Sequence, residues 1–94
     1  MINIYRVRGS SMTPNYFDKD LVLTTRFAFF NVNDVVVLDS DVDGNVLKRI
    51  KSIKNNIFEV ESDNKSYHSR INNKLFRKNQ ILGKVILKLN FLFF

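Results

Sequence analysis

The chain has 94 residues, 45% of them hydrophobic, no cysteine and a formal net charge of +6. That length holds one domain with one modest core, and without cysteine the fold has to stand without disulfides. The apolar content excludes a disordered chain, and the longest apolar stretch, Val85 to Phe94, is broken by Lys88 and Asn90 and falls short of the ~20 residues that a membrane helix needs.

Along the chain the hydrophobic period is mostly two, which predicts strands. Ile2 to Arg8 alternates apolar and polar residues, as a first strand does and a secretory signal does not. Gly9 to Pro14 reads as a turn, with Gly9 free in φ and Pro14 fixing the exit. Asn15 to Asp20 forms a second turn or a single helical turn. Leu21 to Phe30 is a second extended segment. Asp34 to Asp39 contains Val35-Val36-Val37-Leu38, a continuous run that predicts a strand buried on both faces. Asp43-Gly44-Asn45 is a hairpin turn, and Val46 to Ile53 returns as the partner strand. Asn55-Asn56 turns the chain into Ile57 to Glu61, followed by the polar loop Ser62 to Lys65. Ile71 to Lys78 is the one candidate helix, and Gln80 to Leu89 is the last strand. The pattern predicts a mostly β fold, a single compact domain over residues 1–94.

The basic residues are spread from Arg6 and Arg8 through Lys48 to Lys54 to Lys84 and Lys88, with no run of five or six like charges. A solvated basic surface accounts for this; nucleic acid, an anionic membrane and an acidic protein are the partners that the charge raises.

Two segments carry the strongest chemical signal. Gly9-Ser10-Ser11-Met12-Thr13-Pro14 offers a serine on a tight turn, and Val46-Leu47-Lys48-Arg49-Ile50 offers a lysine on an apolar strand. A serine hydroxyl is a poor nucleophile until a base takes its proton. Lysine is such a base only when neutral, which burial among apolar groups promotes. Alternation puts Lys48 on the face of Val46 and Ile50 and sends Arg49 and Lys51 to the other. Gly9 lets the backbone approach a substrate closely, Met12 offers an apolar anchor under the turn, and a turn like this can aim the Ser11 amide at a developing oxyanion. The bland alternatives stay open on composition alone: an ordinary serine-rich turn, Ser10 as the nucleophile, and Lys48 as a strand lysine snorkelling to water.

The order of boxes resembles the serine–lysine peptidases, the superfamily of type I signal peptidases and self-cleaving SOS repressors. The boxes are Gly9-Ser10-Ser11-Met12-Thr13-Pro14, Asp34-Val35-Val36-Val37, Lys48-Arg49, Ser62-Asp63-Asn64, Ser69-Arg70 and Ile81-Leu82-Gly83-Lys84-Val85. The resemblance implies coiled, partly barrel-like antiparallel strands and a serine endopeptidase with Ser11 as nucleophile and Lys48 as base. Gly9, Ser10 and Met12 would form the substrate and oxyanion surroundings. Asp63, Ser69 and Arg70 would support the site. No metal or organic cofactor is implied, and the partner is a protein or peptide substrate bound as an added strand with small residues next to the cut. The chain departs from the family at Lys19-Asp20 and Asn33-Asp34, where Gly-Asp is frequent, and at His68, where Asp is. Ten residues precede Ser11, so cleavage of a propeptide in trans is expected, as in the small soluble branch with the nickel-type superoxide dismutase maturation proteases. A cytoplasmic protein is expected, with peripheral membrane association and a homodimer left open.

Other constellations read more plainly. Asp39-Ser40-Asp41-Val42-Asp43-Gly44 begins like a calcium loop, but its twelfth position is Ile50, so it reads as a hairpin turn. His68 is the only histidine, which disfavours a histidine-based metal site or triad. Phe27, Phe29 and Phe30 are expected in the core. Phe91-Leu92-Phe93-Phe94 is an apolar tail that suits a protein or membrane contact. The rival reading is a catalytically silent basic β-domain that binds nucleic acid or a protein partner, with nucleic acid the disfavoured partner.

Overall fold

The structure, a computed structural model, describes residues 2–26, 29–40, 44–66 and 74–89. Seven strands run through them: β1 (Ile2–Arg6), β2 (Leu21–Thr25), β3 (Val35–Ser40), β4 (Gly44–Lys54), β5 (Ile57–Glu61), β6 (Leu75–Arg77) and β7 (Ile81–Lys88), with a 3-10 turn at Lys78–Gln80 before the last. All pairings are antiparallel and form one sheet in the order β1-β2-β7-β3-β4-β5-β6. The mostly β class expected from the period-two pattern is what forms.

β3 sits in the middle of the order, between β7 and β4, and its four aliphatic residues are all buried. Val36 and Leu38 pack with Ile50, Phe58, Val60, Phe76 and Ile81. Val35 and Val37 pack with Val7, Met12, Val22 and Leu47. One strand thus joins two apolar clusters on opposite faces, which is why its sequence does not alternate. Each fully buried aliphatic side chain here contributes about 1.5–3 kcal/mol.

The turns follow their residues. Asn55 and Asn56 have φ of 52° and 62°, the left-handed pair that a two-residue hairpin needs and asparagine tolerates. Lys19 and Asn33 have φ of 74° and 78°. These are the two positions where the resemblance expects glycine, so the backbone keeps a glycine conformation under a side chain that disfavours it. Asp20 and Asp34 stabilise those turns by accepting from the amides of Phe17 and Asn31, both at 2.8 Å. Gly83 is required by close approach: a Cβ there would lie 2.9 Å from Thr24 Oγ1.

Several expectations need correction. β1 ends at Arg6 and β2 at Thr25, short of Arg8 and Phe30. Leu75–Arg77 is a strand on the edge of β5, not part of a helix; Phe76 is buried while its neighbours are exposed, a period of two that three residues are too few to announce. Phe30 joins the core edge-on to Phe58 at 5.9 Å between centroids, but Phe29 is 90% exposed. Its place on the loop after β2 turns it away from both clusters. Residues 27, 41–43, 68–70 and 91–94, with the expectations for Phe27, the calcium-like loop, His68, Ser69, Arg70 and the tail, lie outside the described residues.

Candidate active site

Lys48 stands in the middle of β4 opposite Val36 of β3. It shares its face with Ile50 and Val46, both packed in the first cluster, and is only 3% exposed. The register with β5 decides what meets its amine. The Asn55-Asn56 turn pairs Lys54 with Ile57, and that register carried on would set Asp63 opposite Lys48. A bulge between Ile50 and Ser52 shifts the ladder by one residue, so that Ile50 meets Val60 and Arg49 meets Glu61. One step further along, Ser62 faces Lys48, and Lys48 Nζ donates to Ser62 Oγ at 2.9 Å. Ser62 is buried as well. A neutral hydroxyl therefore faces the amine where an unbulged strand would have brought a carboxylate.

The carboxylate goes to Arg49 instead. Arg49 Nε and Nη2 each donate to Asp63 at 2.7 Å, and Asn15 Nδ2 adds a third bond at 2.8 Å. Arg49 Nη1 donates to the Asn33 carbonyl at 2.6 Å. Burial works to raise the Asp63 carboxyl, but the bonds from Arg49 and Asn15 outweigh it and hold the group below the usual carboxylate range. The bond to Asp63 in turn raises Arg49. Tyr16, beside this pair, is raised chiefly by burial.

The turn carrying Ser11 is fixed from both ends. Gly9 has φ of 78°, and its amide donates to Asp18 Oδ1 at 2.7 Å. The Ser10 carbonyl accepts from the Thr13 amide at 3.2 Å and from Thr13 Oγ1 at 2.9 Å. Met12 is 1% exposed and sits in the second cluster, so it pins the turn to the sheet. Ser10 is exposed, whereas Ser11 is half-buried.

Residues 62–64 tie these parts together. Ser62 accepts from Lys48, the Asp63 amide donates to Met12 Sδ at 3.4 Å, and the Asn64 amide donates to the Ser11 carbonyl at 2.8 Å. Asn64 Nδ2 also reaches the Ser10 carbonyl at 3.0 Å and Thr13 Oγ1 at 3.1 Å. The Ser11 backbone and the Lys48 amine are thus held two residues apart on one short segment. Among the described residues no hydrogen bond joins the Ser11 hydroxyl to Lys48. Sequence reasoning named Asp63 from this segment but not Ser62 or Asn64; only the order of the Ser62-Asp63-Asn64 box could have pointed to them.

Among the described residues no group of three His, Asp or Glu side chains could hold a metal ion, and no helix is long and apolar enough to cross a membrane. No curated protein and no solved structure matches the chain. A family model described as Peptidase S24-like does, over residues 2–86, a span that contains the Ser11 turn, Lys48 and the segment that ties them. The chain therefore belongs to the Peptidase S24-like family.

Proposed function

We propose that the protein is a serine endopeptidase in which Ser11 is the nucleophile and Lys48 the general base. Ser11 Oγ attacks the scissile carbonyl carbon while the Lys48 amine takes the hydroxyl proton. The Ser11 amide donates to the resulting oxyanion. Collapse expels the new amine, which takes the proton from Lys48, and leaves an ester on Ser11. Water, giving its proton to Lys48, then attacks the ester carbonyl; the acyl–Ser11 bond breaks, Lys48 returns the proton to Ser11 Oγ, and the second product leaves with a carboxyl terminus.

The observation that carries this reading is the surroundings of Lys48. Its amine is removed from water, lies among aliphatic side chains and meets the Ser62 hydroxyl. Removal from water disfavours an ammonium, and a base for serine has to be unprotonated near neutral pH. The hydrogen bond to Ser62 also orients the amine. The Ser11 turn is anchored two residues along the same segment, which supports the pairing of its hydroxyl with the amine in the substrate complex. Free enzymes often hold such pairs apart until substrate tightens them.

The substrate class follows from the family resemblance: an extended segment of a protein precursor, paired as an added strand, with small residues next to the cut, processed in trans in the manner of the small signal-peptidase-like branch. The test is cleavage of a library of extended peptides, read by mass spectrometry. Wild-type protein should cut a subset, and Ser11→Ala and Lys48→Ala should cut none while melting as wild type does. Equal cutting by Lys48→Ala would contradict the assignment.

A further inference from the structure

The outer face of the β1-β2-β7 ladder is apolar and lacks a cover among the described residues. Ile2, Ile4 and Arg6 project to one side of β1 and are exposed. Ile4 pairs with Leu23 of β2, and Leu23 pairs with Leu87 of β7. Three large aliphatic side chains therefore stand abreast across three strands. The bulge in the β2–β7 ladder leaves Ile86 and Leu87 both exposed. Scattered surface aliphatics are ordinary, but a contiguous row of them marks a contact surface.

Charge and an aromatic residue say what the contact is. β1, β2 and β7 contain no Asp or Glu, whereas β3 and β5 hold Asp39, Glu59 and Glu61. Arg6 shares the aliphatic face, and Arg26 is exposed just past the end of β2. At that same end Ile2 pairs with Thr25 and Thr25 with Lys84, whose Nζ donates to the Phe29 carbonyl at 3.3 Å and pairs with Asp34 at 3.1 Å. Phe29, 90% exposed, thus stands at the end of the apolar row beside the Lys84–Asp34 pair. The sequence beyond β7 continues as Phe91-Leu92-Phe93-Phe94. An aliphatic face edged by arginine, with a phenylalanine at its end and a chain charge of +6, matches the interfacial region of an anionic bilayer. Nucleic acid is the poorer fit, because an aliphatic row gives bases nothing to stack on. We propose that this face, with Phe29, docks the protein on anionic lipid bilayers. The proposal is independent of the peptidase reading, since docking involves neither Ser11 nor Lys48.

Co-sedimentation of the full chain with vesicles of phosphatidylcholine, alone or mixed with phosphatidylglycerol, tests it. Binding to the mixed vesicles is expected, weaker with added salt and about tenfold or more weaker with phosphatidylcholine alone. Ile4→Asp and Phe29→Ala should each weaken it by about tenfold, with thermal melts confirming that both variants fold. Ser11→Ala should bind as wild type does, which keeps docking separable from catalysis. The proposal is overturned if the mixed vesicles leave the protein in solution, or if both variants bind unchanged. It is equally overturned if deleting residues 91–94 alone accounts for all binding, if a single-stranded oligonucleotide binds in place of vesicles, or if Ile4→Asp splits a dimer that ignores lipid.

Discussion

Lys48 Nζ meets Ser62 Oγ at 2.9 Å because β4 carries one residue more than β5 between their shared turn and the site. The bulge at Lys51 selects serine over Asp63 as the partner of the buried amine. Ser62→Ala should keep the fold and lower turnover about tenfold, by loss of one orienting hydrogen bond. Ser62→Asp should lower it by about a hundredfold or more, because a carboxylate facing Lys48 holds it protonated. A pH–rate profile checks both: the Ser62→Asp limb should move to higher pH, whereas a merely structural serine would change the rate without moving the limb.

The Asp63 carboxyl is held low in the folded state, with burial opposing and Arg49 and Asn15 prevailing. In the window between its lowered folded pKa and the ordinary ~3.9 of an unfolded chain, the unfolded state binds more protons. Stability from this group is therefore complete above that ordinary value and disappears as pH falls through the folded one. Asp63→Asn should destabilise by about 2–3 kcal/mol at neutral pH and flatten this part of the acid-side loss. Urea melts across acidic pH measure both; equal acid sensitivity of variant and wild type would refute the pairing as its source.

Lys19 and Asn33 occupy left-handed backbone. Lys19→Gly removes that strain, at the expense of a looser unfolded chain, and should stabilise by about 0.5–1 kcal/mol. Asn33→Gly should give less, because asparagine tolerates this region. Thermal melts would show the order Lys19→Gly above Asn33→Gly above wild type.

Met12 is a core residue as well as the neighbour of Ser11. Met12→Ala should cost about 2–5 kcal/mol and loosen the Ser11 turn, and Met12→Leu should restore most of the stability. Denaturant melts measure the loss. If Met12 only fills space, activity should recover with stability in the leucine variant; if its sulfur positions Asp63 through the 3.4 Å amide contact, activity should recover less.

Sequence alone carried the β3–β4–β5 part of this molecule well, because Val35 to Leu38 and the Asn55-Asn56 turn are strong local signals. It also gave the face of Lys48, since alternation needs only the residues of β4. The partner of Lys48 was hidden because register past a bulge is a property of two strands together. Counting on from the Asn55-Asn56 turn leads to Asp63, not Ser62. Alternation sends Arg49 to the other face but does not name its partner, for the same reason: its carboxylate, Asp63, comes from the segment past the end of β5. β6 is too short for its period to show, and its three residues pair with Ile57, Phe58 and Glu59 of β5, partners that lie in the fold and not in the local pattern. Hydrophobicity alone puts Phe29 in the core, and its loop position overrides that.

The most direct test is the intact mass of the protein after exposure to a serine-directed acylating probe. The account predicts one adduct on wild-type protein, mapped to Ser11, and none on Ser11→Ala or on folded Lys48→Ala. An adduct on Ser10, or an adduct that forms equally fast on Lys48→Ala, would contradict it.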